Sequence, residues 1–149
     1  MPTVRSVVTA ALLGAGLADA ASLTLPTAQN QTWSLSQALW RERVLIVRNP
    51  SAAYLQEMRR QDAELQVRDL RIVALLPPAD ARLNGPRTLT LTLLVDAGGK
   101  VGQQFSPATL VGKDGGVKAT YKSLPTLQTV NALIDTMPMR LQERRERGR

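Results

Sequence analysis

The sequence predicts an α/β domain with a parallel strand pair and a β-hairpin, and three stretches carry that prediction. Val44-Leu45-Ile46-Val47, entered from Arg43, is a continuous apolar run rich in β-branched residues, the pattern of a strand buried on both faces. An amphipathic helical stretch separates it from a second apolar run, Leu70 to Leu76, an order that favours a parallel pair joined by a right-handed crossover. Ser106 to Tyr121 then reads as two short strands joined by a tight turn. Asp114-Gly115 tolerates the positive φ that such a turn requires, between an apolar run and an alternating one.

Taken in order, the chain opens on an export signal. Arg5 gives a short positive start, Val7 to Leu17 is uncharged and mostly apolar, and Ala18-Asp19-Ala20 before Ala21 fits a small-residue cleavage site. Residues 1–20 are therefore expected to be removed. Their apolar run falls short of the roughly 20 residues that span a bilayer, so no transmembrane span is expected after cleavage. Residues 21–32, rich in Thr, Gln and Asn, are expected to be a flexible, exposed lead-in to a domain over residues 33–141.

Within that domain Ser34, with Gln37 three residues on, makes a capping-box start for a short helix whose apolar side is Leu35, Ala38 and Leu39. Trp40 reads as a packing anchor. After the central strand, Asn49-Pro50-Ser51 ends it, and Ser51 caps a helix with Tyr54, Leu55, Met58 and Leu65 at spacings of three and four. Pro77-Pro78 stops the second strand, and a polar loop follows to Pro86. Thr88 to Leu93 alternates strictly, which predicts Leu89, Leu91 and Leu93 facing the core and the threonines outward. Asp96-Ala97-Gly98-Gly99 breaks that strand, and Val101 to Phe105 has room for a turn or one helical turn.

Pro107 cannot donate to a ladder, so it is expected just before its strand, with the isomer of the Ser106–Pro107 bond left open. Ser123 and Pro125 start a last helix carrying Leu127, Val130, Ile134, Met137 and Leu141 on one stripe. Pro138 should stop or kink it near Met137. Residues 142–149, with Arg144, Arg145, Arg147 and Arg149, read as a solvated basic tail.

Composition excludes whole chemistries. Among 149 residues there is no cysteine and no histidine, which removes disulfides, thiol nucleophiles, thiolate metal sites, the commonest general base and the usual zinc ligands. No Gly-x-x-x-x-Gly-Lys-Ser/Thr loop and no Asp-x-Asp-x-Asp-Gly loop occurs, so no cofactor and no metal is expected. A net charge of +7 biases encounters toward acidic partners. Nucleic acid is disfavoured, because the five aromatics do not alternate with basic residues along one strand.

Three further pieces carry a resemblance: Val95-Asp96 through Phe105, then Thr109-Leu110-Val111-Gly112-Lys113-Asp114-Gly115-Gly116-Val117-Lys118, then Ile134-Asp135-Thr136-Met137-Pro138-Met139-Arg140 with Glu143. Over roughly residues 39–145 the chain resembles the bacterial domain of unknown function 4174. That family is similar in fold to thioredoxins and peroxiredoxins, and related domains occur in animal extracellular matrix proteins. The resemblance implies a thioredoxin-like three-layer sandwich, a central mixed sheet with flanking helices, and Pro107 in the place of the usual cis-proline. It supplies no activity.

The same resemblance puts a redox site where the first strand gives way to its helix, here Asn49 to Tyr54. With no cysteine there, neither thiol exchange nor peroxide reduction is open to this chain alone. Ser51 has no histidine and no Gly-x-Ser-x-Gly elbow to make it a nucleophile.

The leading expectation is an exported, non-catalytic thioredoxin-like domain that binds an envelope, periplasmic or extracellular protein, with Asn49, Ser51, Pro107, Lys113, Asp114 and Arg140 as its binding candidates. The competing readings for the last three are a solvated strand face for Lys113, a hairpin turn for Asp114, and an ion pair between Arg140 and Asp135. One alternative is a cysteine-independent enzyme with a carboxylate or lysine at the carboxyl ends of the strands. Another is weak contact of the arginine tail with anionic surfaces.

Overall fold

A computed structural model describes residues 23–148; the expected signal segment and its cleavage site lie outside the described residues. The chain runs β1 (Thr24–Pro26), β2 (Thr32–Ser34), β3 (Arg43–Arg48), α1 (Ala52–Arg60), α2 (Asp62–Val67), β4 (Leu70–Leu76), β5 (Leu91–Val95), β6 (Ala108–Val111), β7 (Val117–Tyr121), α3 (Leu127–Ile134) and α4 (Pro138–Arg147). β3 pairs parallel with β4 and antiparallel with β6, and the order β5-β4-β3-β6-β7 puts it at the centre of a mixed sheet.

Successive side chains of a strand point to opposite faces, and the apolar runs are continuous because both faces of this sheet are covered. Leu45 and Val47 of β3 with Ile72 and Ala74 of β4 pack against Leu55, Met58 and Leu65 of α1 and α2 and Leu127, Val130 and Ile134 of α3. Val44, Ile46, Val73 and Leu75 face the other way, onto Leu23, Trp33, Leu35, Ala38 and Phe105. Helices α1, α2 and α3 thus share one face. The opposite layer is thin, made of the β1–β2 hairpin and short 3-10 turns.

Several expectations give way here. The exposed lead-in to Thr32 is replaced by β1, which pairs Leu25 with Trp33 and bridges from Thr27 to Leu94, because the second face needs a lid. Leu23 is 2% exposed. Trp40 is 68% exposed, since a left-handed φ of +64° turns it outward while its amide donates to the Lys113 carbonyl at 2.8 Å. Trp33 is the packed tryptophan. The Ser34 side chain makes no cap bond, so the capping box does not form around the 3-10 turn Leu35–Ala38.

Leu89 lies ahead of β5 and is exposed, whereas Leu91 and Leu93 face the core as expected. Thr90 is buried instead, its amide donating to the Asp62 carboxylate at 3.0 Å. The predicted single helix after Ser51 breaks at Gln61 into α1 and α2.

Pro138 ends the α3 stripe but opens α4 at its first position, where no amide donor is needed. The basic tail is therefore a helix, closed by left-handed Gly148. Because Met137 is extended between α3 and α4, the apolar stripe ends with this half-buried residue, and Leu141 is exposed.

Candidate functional site

At the carboxyl end of β3 three strands are locked together. The Arg48 amide donates to the Pro107 carbonyl at 2.9 Å and the Asn49 amide to Leu75 at 2.8 Å. Pro107 stands just before β6, as the missing amide requires, and its peptide bond is trans. Asn49 reverses the chain at a left-handed φ of +48°. Pro50 follows, buried, its carbonyl accepting from Arg82 Nη1 at 2.7 Å. Arg82 is held by Asp80, whose carboxyl it keeps at a pKa of about 2. Ser51 then caps α1, its Oγ accepting from the Tyr54 amide at 3.1 Å.

Beside this turn opens a cavity of about 220 Å³ lined by Arg48, Asn49, Leu76, Pro77, Asp96 and Gly102, among others. Asp96 is 4% exposed, and its two carboxylate oxygens accept from the amides of Val101 at 3.1 Å and Gly102 at 2.7 Å. Arg48 donates Nη1 to the Phe105 carbonyl at 3.0 Å. Tyr54 donates its hydroxyl to Pro125 at 2.9 Å, and burial with help from Tyr121 pushes its pKa up to about 12, so it stays a neutral phenol near pH 7.

Lys113, Asp114 and Arg140 do not join that site. β6 runs antiparallel to β3, so a residue just past the end of β6 arrives near the start of β3, beside the entry to parallel β4. There Lys113 Nζ meets Asp69 at 2.8 Å and Glu143 of α4 at 2.7 Å, and Arg43 grips both Glu143 oxygens at 3.2 Å. Arg147 reaches Asp69 at 3.0 Å. Arg140, 2% exposed, donates to the Val67 carbonyl at 3.1 Å and lies 3.5 Å from Asp135, which also takes a bidentate pair from Arg68.

Lys113 is thus buried at 7% exposure and is not on a solvated face, because two carboxylates compensate its charge. Burial alone would push the Glu143 carboxyl up, but the bonds from Lys113 and Arg43 outweigh it and hold it below the usual range. Asp69 is held down in the same way by Lys113 and Arg147, and Asp135 by Arg68 and Arg140.

Asp114 shapes the hairpin, which spans Gly112 to Gly116 where the sequence suggested two residues. Gly112 donates to the Gly116 carbonyl at 2.8 Å, Asp114 Oδ1 accepts from the Gly116 amide at 2.9 Å, and Gly115 supplies φ +85°. Of the six binding candidates, Asn49, Ser51 and Pro107 gather at one end of the sheet, and the other three serve its opposite end. Arg48 and Asp96 were missed. The signals available were an arginine closing an apolar strand and an aspartate ahead of a Gly-Gly pair. Among the described residues no group of three or more acidic side chains could hold a metal ion, and no helix is long and apolar enough to cross a membrane.

A mixed sheet with this order, helices on one face and a capped helix springing from its central strand defines a thioredoxin-like domain. Solved structures agree. The chain is similar to peroxidoxin BcpB from Mycobacterium tuberculosis, with a TM-score of 0.65 at 18% identity over 77% of this chain and 92% of that one. Thioredoxin peroxidase I of Plasmodium yoelii gives 0.60 at 14% identity, covering 89% and 93%. The exposed lipoprotein thioredoxin Etrx1 of Streptococcus pneumoniae gives 0.57 at 18%, covering 77% and 98%. Residues 34–143 match the family model for the domain of unknown function DUF4174, and the chain belongs to that family. No curated protein matches it.

Proposed function

We propose that this protein is an exported, non-catalytic thioredoxin-like domain that acts as a binding module for a protein of the envelope or extracellular space. The observation that carries the reading is what stands at the strand carboxyl ends. Ser51 is committed to the α1 cap and the Asp96 carboxylate to two backbone amides, while the chain has no thiol or imidazole to react in their place. What remains open is a cavity edged by Arg48 and Asn49, groups that recognise a ligand without transforming it. Export is supported by Arg5, the Val7 to Leu17 run and Ala18-Asp19-Ala20.

Two measurements test the reading. Protein isolated from the source cells should begin at Ala21 and fractionate outside the cytoplasm; full-length protein in the cytoplasm would refute export. The purified protein, immobilised, should recover the same partner from envelope extracts across several salt concentrations, and a reproducible blank would refute the binding role.

A further inference from the structure

We propose that the cavity at the carboxyl ends of β3 and β4 is a carboxylate-binding site, with the Arg48 guanidinium as its receptor and the Asn49 carboxamide at its mouth. The proposal rests on the binding-module reading and deepens it by naming the chemistry recognised.

The electrostatics of Arg48 set it apart. Arg43, Arg68, Arg71, Arg82 and Arg140, all buried or half-buried, each sit against a carboxylate. Arg48 is half-buried too, yet among the described residues the only protein hydrogen bond of its side chain is Nη1 to the Phe105 carbonyl. Arg59, likewise without a carboxylate, is packed against Gly85 and bonds the Pro86 carbonyl, away from this cavity. A guanidinium carries five donors in a planar fork. The Phe105 bond fixes that plane and leaves other donors for a ligand.

The acid in the same lining does not satisfy the cation. Asp96 is turned onto the amides of Val101 and Gly102, outside ion-pair reach of Arg48. Its effect is to fold the loop after β5 so that Gly102 lies against the arginine. A β-carbon on Gly102 would come within 3.4 Å of Arg48 Nε and 3.0 Å of Asp96 Oδ2, so a side chain at this position would crowd both groups.

Asn49 is exposed, its carboxamide has no hydrogen-bond partner among the described residues, and its backbone is held in the left-handed region. Such local strain collects at binding sites, where the surrounding structure fixes a conformation the residue does not prefer.

Arg48 has no carboxylate within salt-bridge distance among the described residues, so its flat fork is free to take a carboxylate bidentately. Leu75, Leu76 and Pro77 offer an apolar wall to whatever carries it. The carboxylate belongs to a chain terminus, an acidic side chain or a small free acid, and the experiment separates these sources.

Isotope-labelled protein is titrated with four probes followed by amide chemical shifts: the peptide Ala-Ala-Val-Leu with a free C-terminus, its C-terminal amide, an amidated peptide with one internal Glu, and acetate. The amides of Asn49, Gly99 and Gly102 should shift saturably with at least one carboxylate and not with the neutral amide. Whichever carboxylate binds most tightly identifies the source. Arg48→Gln should weaken that binding about tenfold or more, and Arg48→Lys nearly as much, because a point charge lacks the fork. Should Arg48→Gln fail to fold, Asn49→Gly keeps the left-handed backbone and should still lower affinity severalfold.

No saturable shift from any carboxylate up to about 10 mM, tenfold above a millimolar Kd, would overturn the site. So would equal shifts from the neutral amide, or shifts unchanged in Arg48→Gln. Equal recovery of an envelope partner by the wild type and Arg48→Gln would also overturn it while leaving the binding-module reading intact. Saturable, Arg48-dependent shifts with no partner recovered would do the reverse.

Discussion

The two ends of the sheet use charge in opposite ways. At the start of β3 and β4 each buried cation has an anion: Lys113 and Arg43 share Glu143, and Arg140 lies against Asp135. At the carboxyl end the half-buried Arg48 has no carboxylate within salt-bridge distance among the described residues, and Asp96 in the cavity lining is bound to backbone amides. The first arrangement closes a structure, because Glu143 joins α4 to β3, and Arg140 and Arg147 join it to the end of α2 and the turn before β4. The second leaves an interaction unmade. Density of charged side chains is therefore a poor guide to where this fold meets a ligand; the incomplete pairing is the better one.

The contrast can be broken most forcefully at Glu143. Glu143→Ala would leave buried Arg43 without a carboxylate and Lys113 with Asp69 alone, and removing one partner of a buried pair costs about 3–5 kcal/mol. Urea unfolding should report that loss. A cost below about 1 kcal/mol, the range of exposed pairs, would mean the network is a solvated surface feature.

Acid should act on the same end. Glu143, Asp69 and Asp135 all have carboxyl pKa values depressed by their cation partners in the fold. Their contribution is thus fully present above the unfolded carboxylate values of about 4 and is lost as pH falls through the lower folded values. Thermal melts from pH 6 down to pH 3 should show falling stability, and Glu143→Gln should flatten part of that slope. A slope unchanged in the variant would remove Glu143 from the account.

Smaller effects sharpen the other end. Ser51→Ala deletes the α1 cap and should cost about 1 kcal/mol, with carboxylate binding unchanged, since Ser51 serves the helix rather than the cavity. Loss of binding in that variant would bring Ser51 back as a ligand group. Trp40→Ser should change stability by no more than about 0.5 kcal/mol, as for an exposed position. A larger loss would restore the packing role that its exposure denies.

How far the sequence could be read depended on the range of the forces involved. The central strand, its parallel neighbour, the Ser51 cap and the hairpin after Pro107 were legible, because periodicity, capping and turn chemistry act within a few residues. The Arg140–Asp135 pair, five residues apart, was legible too, whereas the setting of Trp40, the burial of Lys113 and the bond from Arg140 to Val67 were not. Each depends on a partner far along the chain, as Arg43 does on Glu143 one hundred positions away. Even local signals failed where a tertiary contact competed, and Thr90 went inward because Asp62 met it there.

By itself, then, the sequence determined the class of fold, through the placement of apolar residues in strands and helices, and it excluded thiol and imidazole chemistry by lacking the side chains. Only the tertiary structure decided which charges neutralise one another and which is left facing a cavity. Coulomb attraction and desolvation depend on distance in space, and only when the sheet has closed does the chain bring Lys113 to Glu143, while Arg48 gains no salt bridge among the described residues.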